Sequence, residues 1–340
     1  MGRMVNIGII GCGYWGPNYI RIISELSGCH LLSCCDLDSS NLSKIKKSYS
    51  HVHLCNNYKD LAGDSRIDAV IITTPHNTHF DIAKLCLKNG KHVLIEKPFT
   101  SNYRQAEKLV NMADNRKLVL MVGHVYRYNP AVIKLKEIID SGKLGNIYYI
   151  TAERFGLGPV RKYANALWDL TIHDISTAIY LLGGMPNDVF AIGEYYIQDN
   201  IKDLVFLSMR FPSRIIYNAY STWIAPEKIR KTTIVGSKGM AVLDDVNKQE
   251  PLKIYERAIN KALLDSTPEY TDHQLVVNIG DTYIPKITQS EPLKNQVEHF
   301  LGSISKGKTP LTCGRDGLRV VSILEAAEKS LKTGRHIKCR

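Results

Sequence analysis

A run of β-prone residues from Met4 to Ile10 leads straight into Gly11-Cys12-Gly13-Tyr14-Trp15-Gly16, and a helix-forming segment follows. A G-x-G-x-x-G turn set between strand and helix has a mechanism. Gly11 permits the tight turn, Gly13 lets the backbone approach a pyrophosphate, and Gly16 lets the helix pack close to the strand. The helix N-terminus attracts the phosphate charge. Twenty positions after Gly16 stands Asp36, at the end of a second apolar run, His30 to Cys35. A carboxylate there accepts hydrogen bonds from both ribose hydroxyls of NAD and repels the 2′-phosphate of NADP. The expected cofactor is NAD, held by Gly11, Gly13, Tyr14, Trp15, Gly16 and Asp36.

At 340 residues the chain exceeds the usual size of one hydrophobic core, so two domains are expected. Hydrophobic content of 44% and charged content of 23% fit a globular enzyme rather than a disordered chain. No apolar run reaches the roughly 18–20 residues of a membrane span. The first strand begins within a few residues of Met1, leaving no room for a signal or transit peptide, so a cytoplasmic protein is expected. The eight cysteines are scattered without a C-x-x-C pair, which reads as reduced thiols and supplies no metal-ligand spacing. The formal net charge of +11 admits three readings: nucleic acid, an anionic small substrate, or a solvated basic surface. The basic runs are short, and no zinc finger, RNA-binding signature or basic arm accompanies them, which argues against nucleic acid.

Strands at Val5–Ile10, Leu31–Cys35, Ala69–Thr73, His92–Ile95 and Leu118–Val122 alternate with helices at Pro17–Leu26, Ser40–Lys47, Phe80–Lys88 and Tyr103–Asn115. That alternation predicts a doubly wound parallel sheet, a Rossmann-like domain over residues 1–124. A helix, Pro130 to Ser141, comes next. After Gly145 the pattern becomes β-rich: Ile147–Arg154, Val189–Tyr196, Leu204–Phe211, Ile215–Thr222 and Thr232–Val235. One helix, Trp168 to Leu182, interrupts it, and helices at Leu293–Ser305 and Gly314–Lys332 close the chain. Residues 125–340 therefore read as an α+β domain with a large, mostly antiparallel open-faced sheet, its C-terminal helices able to pack back on the first domain. An open sheet face needs covering, so a homodimer or homotetramer is expected.

Two further constellations carry chemistry. Glu96-Lys97-Pro98 follows the strand His92–Ile95, and ligands of open α/β sheets bind beyond the carboxyl ends of strands, so Lys97 is expected to face the cofactor. The bland alternative is a solvated lysine. Asp169 and His173 are four apart in an expected helix and would share a face. Histidine titrates near neutrality, which suits removal of a hydroxyl proton during hydride transfer, and a neighbouring carboxylate would orient the ring. By spacing alone, an exposed Asp–His helical pair is the more ordinary outcome.

Together these motifs resemble the glucose–fructose oxidoreductase/inositol dehydrogenase/rhizopine (Gfo/Idh/MocA) family of NAD(P)-dependent sugar oxidoreductases. The residues that carry the resemblance are the Gly11–Gly16 turn, Thr74-Pro75 with His79, Glu96-Lys97-Pro98, and Asp169 with His173. The resemblance implies that Thr74, Pro75, His79, Glu96 and Lys97 line the cofactor, that Lys97 contacts substrate, and that His173 is the general base. Ala166-Leu167-Trp168 stands where members often carry glycines before the Asp, and no glycine lies between Asp169 and His173.

The Trp168-Asp169-Leu170-x-x-His173-Asp174 pattern, Tyr128-Asn129-Pro130-Ala131 and the stretch Trp223 to Arg230 are similar to a subgroup acting on nucleotide-linked sugars. That subgroup includes dehydrogenases oxidising C3 of UDP-N-acetylglucosamine for a partner aminotransferase in lipopolysaccharide assembly. The resemblance implies substrate contacts by Arg127, Tyr128, Asn129, Arg154, Trp168, Lys228 and Arg230, with Arg161 and Lys162 as further basic candidates. Rival readings are a keto-sugar reductase of deoxysugar synthesis, an inositol or free-sugar dehydrogenase, and a non-catalytic dinucleotide sensor on the same fold.

Overall fold

The computed structural model describes residues 4–161, 164–259, 277–278 and 280–339, so Lys162 lies outside the described residues. The chain divides into two compact units. One comprises residues through Tyr128 with Ser290–Ser322, and the other Asn129–Gln289 with the residues from Ile323 on.

The first unit is built on six parallel strands: β1 (Val5–Ile10), β2 (Cys29–Cys35), β3 (His53–Cys55), β4 (Ala69–Ile72), β5 (His92–Glu96) and β6 (Leu120–Gly123). Their order is β3-β2-β1-β4-β5-β6, so the strand order reverses between β1 and β4. Parallel strands need crossover connections. These are α1 (Gly16–Glu25), α2 (Ser39–Ser48), α3 (Tyr58–Gly63), α4 (His79–Lys88) and α5 (Tyr103–Asn115). Ile7, Ile9, Ile71 and Leu94 are fully buried from the strands, as parallel sheets covered on both faces require. β3 and α3 were not expected: three and six residues are too few for a readable hydrophobic period.

The second unit opens with α6 (Pro130–Asp140) and carries α7 (Ile172–Leu182), which ends at Gly183 with φ +71°. Its sheet strands are β7 (Ile147–Leu157), β8 (Asp188–Glu194), β9 (Leu204–Arg210), β10 (Ile216–Thr222), β11 (Ile224–Gly236), β12 (Gly239–Asp244) and β13 (Leu252–Tyr255). Among the described residues the two-residue pieces β14 (Ala258–Ile259) and β15 (Val277–Asn278) pair with each other, while β16 (Thr282–Tyr283) and β17 (Ile337–Lys338) edge the large sheet. The large sheet is mixed. β10 runs parallel to β7, and every other pairing is antiparallel. One face buries Ile150, Ala152, Leu207, Tyr217, Ala219 and Ile234, whereas Tyr149, Ile192, Phe206 and Ile216 of the opposite face are exposed.

Two helices close the chain, α8 (Pro292–Lys306) and α9 (Gly314–Thr333). α8 seats Leu293, Val297 and Phe300 in the core that holds Ile9, Tyr19 and Ile23. The division between units falls within α9, after Ser322.

Candidate active site

The carboxyl ends of β1, β2, β4, β5 and β6 carry Gly11, Asp36, Thr73-Thr74, Lys97 and His124, so the first unit collects its chemistry along one edge. At Gly11 φ is +97°, and an added Cβ would lie 2.8 Å from backbone atoms of Thr73 and Thr74. At Gly16 a Cβ would come within 2.3 Å of the Gly11 carbonyl oxygen. Gly13 differs, since a Cβ there would meet nothing within 4 Å. Two of the three glycines are thus demanded by the chain's own packing, and the third keeps a space clear. That is the fit expected of a pyrophosphate cradle. The first turn of α1 carries no acidic residue, which keeps the helix's positive end available to an anion. Tyr14 beside it is 81% exposed, stacked edge-on to Trp15 with ring centroids 5.9 Å apart.

Asp36 is oriented by the turn it serves. Its Oδ2 accepts from the Cys12 backbone N–H at 2.5 Å, and its Oδ1 from the Asp38 N–H at 2.8 Å. These bonds fix the carboxylate where a ribose would be read.

Thr74, Pro75, His79, Glu96 and Lys97 form one supporting assembly. His79 is buried, with Nε2 2.8 Å from the Thr74 carbonyl and Nδ1 2.8 Å from that of Pro98. A neutral imidazole donates to only one of these. Burial pushes His79 down to about 4, against the pull of both carbonyls. The ring therefore fills the space between the turn after β4 and the cis Lys97–Pro98 peptide, hydrogen-bonded to one carbonyl and packed against the other. Its polar atoms are spent on backbone, so it acts on the cofactor edge by holding it. Glu96 is likewise enclosed. It accepts from the Tyr19 hydroxyl at 2.6 Å and from the Lys97 N–H at 3.0 Å, while Gln296 donates to Tyr19 at 2.9 Å. Burial raises its carboxyl above the usual range. Glu96 thus anchors the backbone of Lys97. Tyr19 and Gln296 went unread in the sequence, because nothing local marks a tyrosine of α1 and a glutamine of α8 as partners.

Arg127 and Tyr128 are turned to scaffolding. Arg127 is buried with its Nη1 2.9 Å from Asp316 Oδ2. The Tyr128 hydroxyl lies 3.0 Å from Thr312 Oγ1, which donates to the Val122 carbonyl at 2.8 Å. His124 is buried without a hydrogen-bond partner at either ring nitrogen. Burial, with the Arg127 and Lys97 cations nearby, holds it well below its ordinary range.

In the second unit the expected α-helix over Asp169 and His173 begins differently. Residues Leu167–Thr171 form a π-helical turn, in which the Ile172 N–H reaches back to the Leu167 carbonyl, and α7 starts at Ile172. The face-sharing inferred from four-residue spacing assumes α geometry throughout, so it does not carry over unchanged. Such turns recur at functional sites. Asp169 Oδ2 accepts from Arg161 Nε at 3.2 Å, and His173 is half-buried. The next residue, Asp174, is held by a buried fork from Arg154, Nε at 3.1 Å and Nη2 at 2.8 Å. Arg154, expected at the substrate, thereby fixes the first turn of α7 to β7. Asn129 caps α6 by accepting from the Ala131 N–H and donates to Asp245 at 2.8 Å. Trp168 and Arg230 are half-buried, and Lys228 is exposed on β11. Arg230 pairs in register with Arg154. Trp223 is buried, its indole donating to Asp203 at 2.7 Å.

Comparison with known proteins follows the same division. Residues 5–124 match the model of an oxidoreductase family with an NAD-binding Rossmann fold, and residues 132–242 match the GFO/IDH/MocA C-terminal domain. The chain is 30% identical over 261 residues to a UDP-N-acetylglucosamine 3-dehydrogenase of Acidithiobacillus ferrooxidans, covering 76% of this chain and 77% of that one. It is 25% identical over 347 residues to a myo-inositol 2-dehydrogenase of Thermotoga maritima, covering 98% of each. A solved structure of UDP-N-acetylglucosamine 3-dehydrogenase GnnA from Acidithiobacillus ferrooxidans superposes with a TM-score of 0.80 at 25% identity, over 96% of this chain and 99% of that one. With both domain models matched in order and the glycine cradle intact, the chain belongs to the GFO/IDH/MocA family of NAD-dependent oxidoreductases.

Proposed function

We propose that this enzyme oxidises a secondary hydroxyl of a nucleotide-linked sugar to a ketone, at C3 of a UDP-linked N-acetylhexosamine. The observation that carries this reading is the 30% identity to a UDP-N-acetylglucosamine 3-dehydrogenase over three-quarters of both chains. Bound NAD supplies the hydride acceptor. The Gly11–Gly16 turn holds its pyrophosphate, and Asp36 reads its ribose. His173 takes the hydroxyl proton, Asp169 offsets the charge on the imidazolium, and Lys97 donates a hydrogen bond to the reacting oxygen. General-base help of this kind contributes about 10²–10⁴-fold in rate. Lys228 and Arg230 are the basic candidates for the nucleotide diphosphate, with Trp168 beside the base.

The test is His173→Asn and Lys97→Ala, each scored for turnover and for NADH binding. Turnover should fall by about 10²-fold or more while NADH affinity stays within a few-fold. Near-normal turnover by both variants would overturn these roles.

A second reading is an inositol dehydrogenase, favoured by the likeness to myo-inositol 2-dehydrogenase along 98% of both chains. On either reading the row of exposed Ile192 and Phe206 and half-buried Tyr220, in register across β8, β9 and β10, supports assembly into a homo-oligomer through this face. The 3-keto product would pass to a cytoplasmic sugar aminotransferase for surface-glycan synthesis.

A further inference from the structure

Four of the eight cysteines, scattered in sequence, gather around Asp36. Cys12 lies in the glycine turn, Cys34 and Cys35 end β2, and Cys55 ends β3. They form two pairs. Cys12 and Cys34 enter the core together, while Cys35 and Cys55 stand opposite one another on β2 and β3. Neighbouring residues of a strand point to opposite faces, so Cys34 and Cys35 cannot serve one cluster. Among the described residues no group of three ligands is placed to hold a metal, which leaves thiol chemistry.

Cys35 and Cys55 are direct register partners on adjacent parallel strands. Such strands lie about 4.8 Å apart, within the Cα separation that a disulfide spans. Cys35 is buried and Cys55 half-exposed, so a reagent reaches Cys55 first. The Cys35 side chain, the Ser33 hydroxyl and the Asn57 backbone surround the Cys55 sulfur, whose thiol reaches the Cys34 carbonyl at 3.9 Å. Together they draw the Cys55 thiol down to about 7 despite its burial and leave Cys35 pushed up. A thiolate-rich sulfur beside a protonated partner is the arrangement of an attacking and a resolving thiol.

The pair is wired to the cofactor edge. Asp36 follows Cys35 directly, and its N–H donates to the Cys55 carbonyl at 3.2 Å. Its carboxylate caps the Cys12 N–H in the glycine turn.

We infer that Cys35 and Cys55 form a thiol-modification site, oxidised to a cross-strand disulfide by small-molecule disulfides, and that the cross-link weakens dinucleotide binding. The Cys55 thiolate attacks one sulfur of the reagent, forming a mixed disulfide as the reagent's S–S bond breaks and a small thiolate leaves. Cys35 then loses its proton and attacks Cys55 Sγ, expelling the second small thiol. Two protein thiols are oxidised, and one disulfide is reduced to two thiols. The effect on binding rests on the assignment of Asp36 to the ribose, whereas the cross-link does not.

The experiment treats the full chain with oxidised glutathione, follows intact mass and peptide maps, and measures the NADH Kd of reduced and oxidised protein. The expected product has lost two hydrogens at a mapped Cys35–Cys55 link, and its Kd is raised about tenfold or more. Cys55→Ser forms no link and keeps its Kd under oxidant. Cys35→Ala, lacking the resolving thiol, stops at a glutathione adduct on Cys55. A Cys55 that stays reduced while Cys313 or Cys339 reacts would overturn the site. A mapped link with an unchanged Kd would overturn its effect on binding. Reduced protein that binds no NADH would overturn the nucleotide assignment of Asp36, leaving the mapped link to decide the thiol site.

Discussion

Arg154 forks onto Asp174, the residue directly after His173, with both side chains buried and nitrogen–oxygen distances of 3.1 and 2.8 Å. The pair fixes the first turn of α7 against β7. It thereby sets the direction in which the half-buried imidazole of the preceding residue leaves the helix.

Arg154→Ala would leave the Asp174 carboxylate buried without its counter-ion, a loss of about 3–5 kcal/mol. Arg154→Lys keeps the charge but not the planar fork and should recover only part of it. Denaturant midpoints of the two variants check the order wild type, then Lys, then Ala.

The three glycines of the turn should separate folding from binding. A Cβ at Gly13 meets nothing within 4 Å, so Gly13→Ala should melt like wild type while binding NADH about tenfold or more weakly. A Cβ at Gly16 would stand 2.3 Å from the Gly11 carbonyl oxygen, so Gly16→Ala should lose stability. Thermal melts beside NADH titrations test the contrast; equal melting temperatures for the two variants would contradict it.

Asp36 caps the Cys12 N–H, and under the proposed function it also reads the ribose. Asp36→Asn keeps one acceptor for the turn, gives up one of its two backbone N–H bonds, and removes the charge that repels a 2′-phosphate. It should therefore narrow the NADH-over-NADPH preference by about tenfold or more, with a modest change in melting temperature.

His79 supplies a pH dependence with a defined sign. Its folded value is pushed down to about 4 by burial, below its unfolded value of about 6.5. Between these limits the unfolded chain binds the proton that the folded chain refuses. The stabilisation is therefore complete above about pH 6.5, is lost as pH falls towards 4, and amounts to about 3 kcal/mol. Glu96 and Asp316, raised by burial, act in the opposite sense. The His79 contribution is accordingly read as the difference between wild type and His79→Gln, which should shrink on acidification across that window.

Much of the fold was legible because its signals are local. Gly11, Gly13, Gly16 and Asp36 sit at fixed offsets from strands whose apolar runs are unambiguous, and a parallel sheet buried on both faces writes such runs plainly. What stayed hidden depends on partners distant in sequence. Arg154 and Arg127 read as substrate contacts, since a lone arginine in a sequence shows its charge and not the aspartate that will meet it. Asp174 and Asp316 meet them only in the folded chain. Likewise Tyr19, Glu96 and Gln296 form one network across 277 positions. The π-helical turn at Leu167–Thr171 left no trace, because a single extra residue in a helix does not change its composition.

The most direct test of the account is NADH formation from NAD with UDP-N-acetylglucosamine, set against myo-inositol and glucose. Glutamate and a 3-keto-sugar aminotransferase are added to draw an unfavourable oxidation forward. Turnover with the UDP-sugar alone is the predicted result. Turnover of myo-inositol with UDP-N-acetylglucosamine silent would contradict it and establish the inositol reading instead.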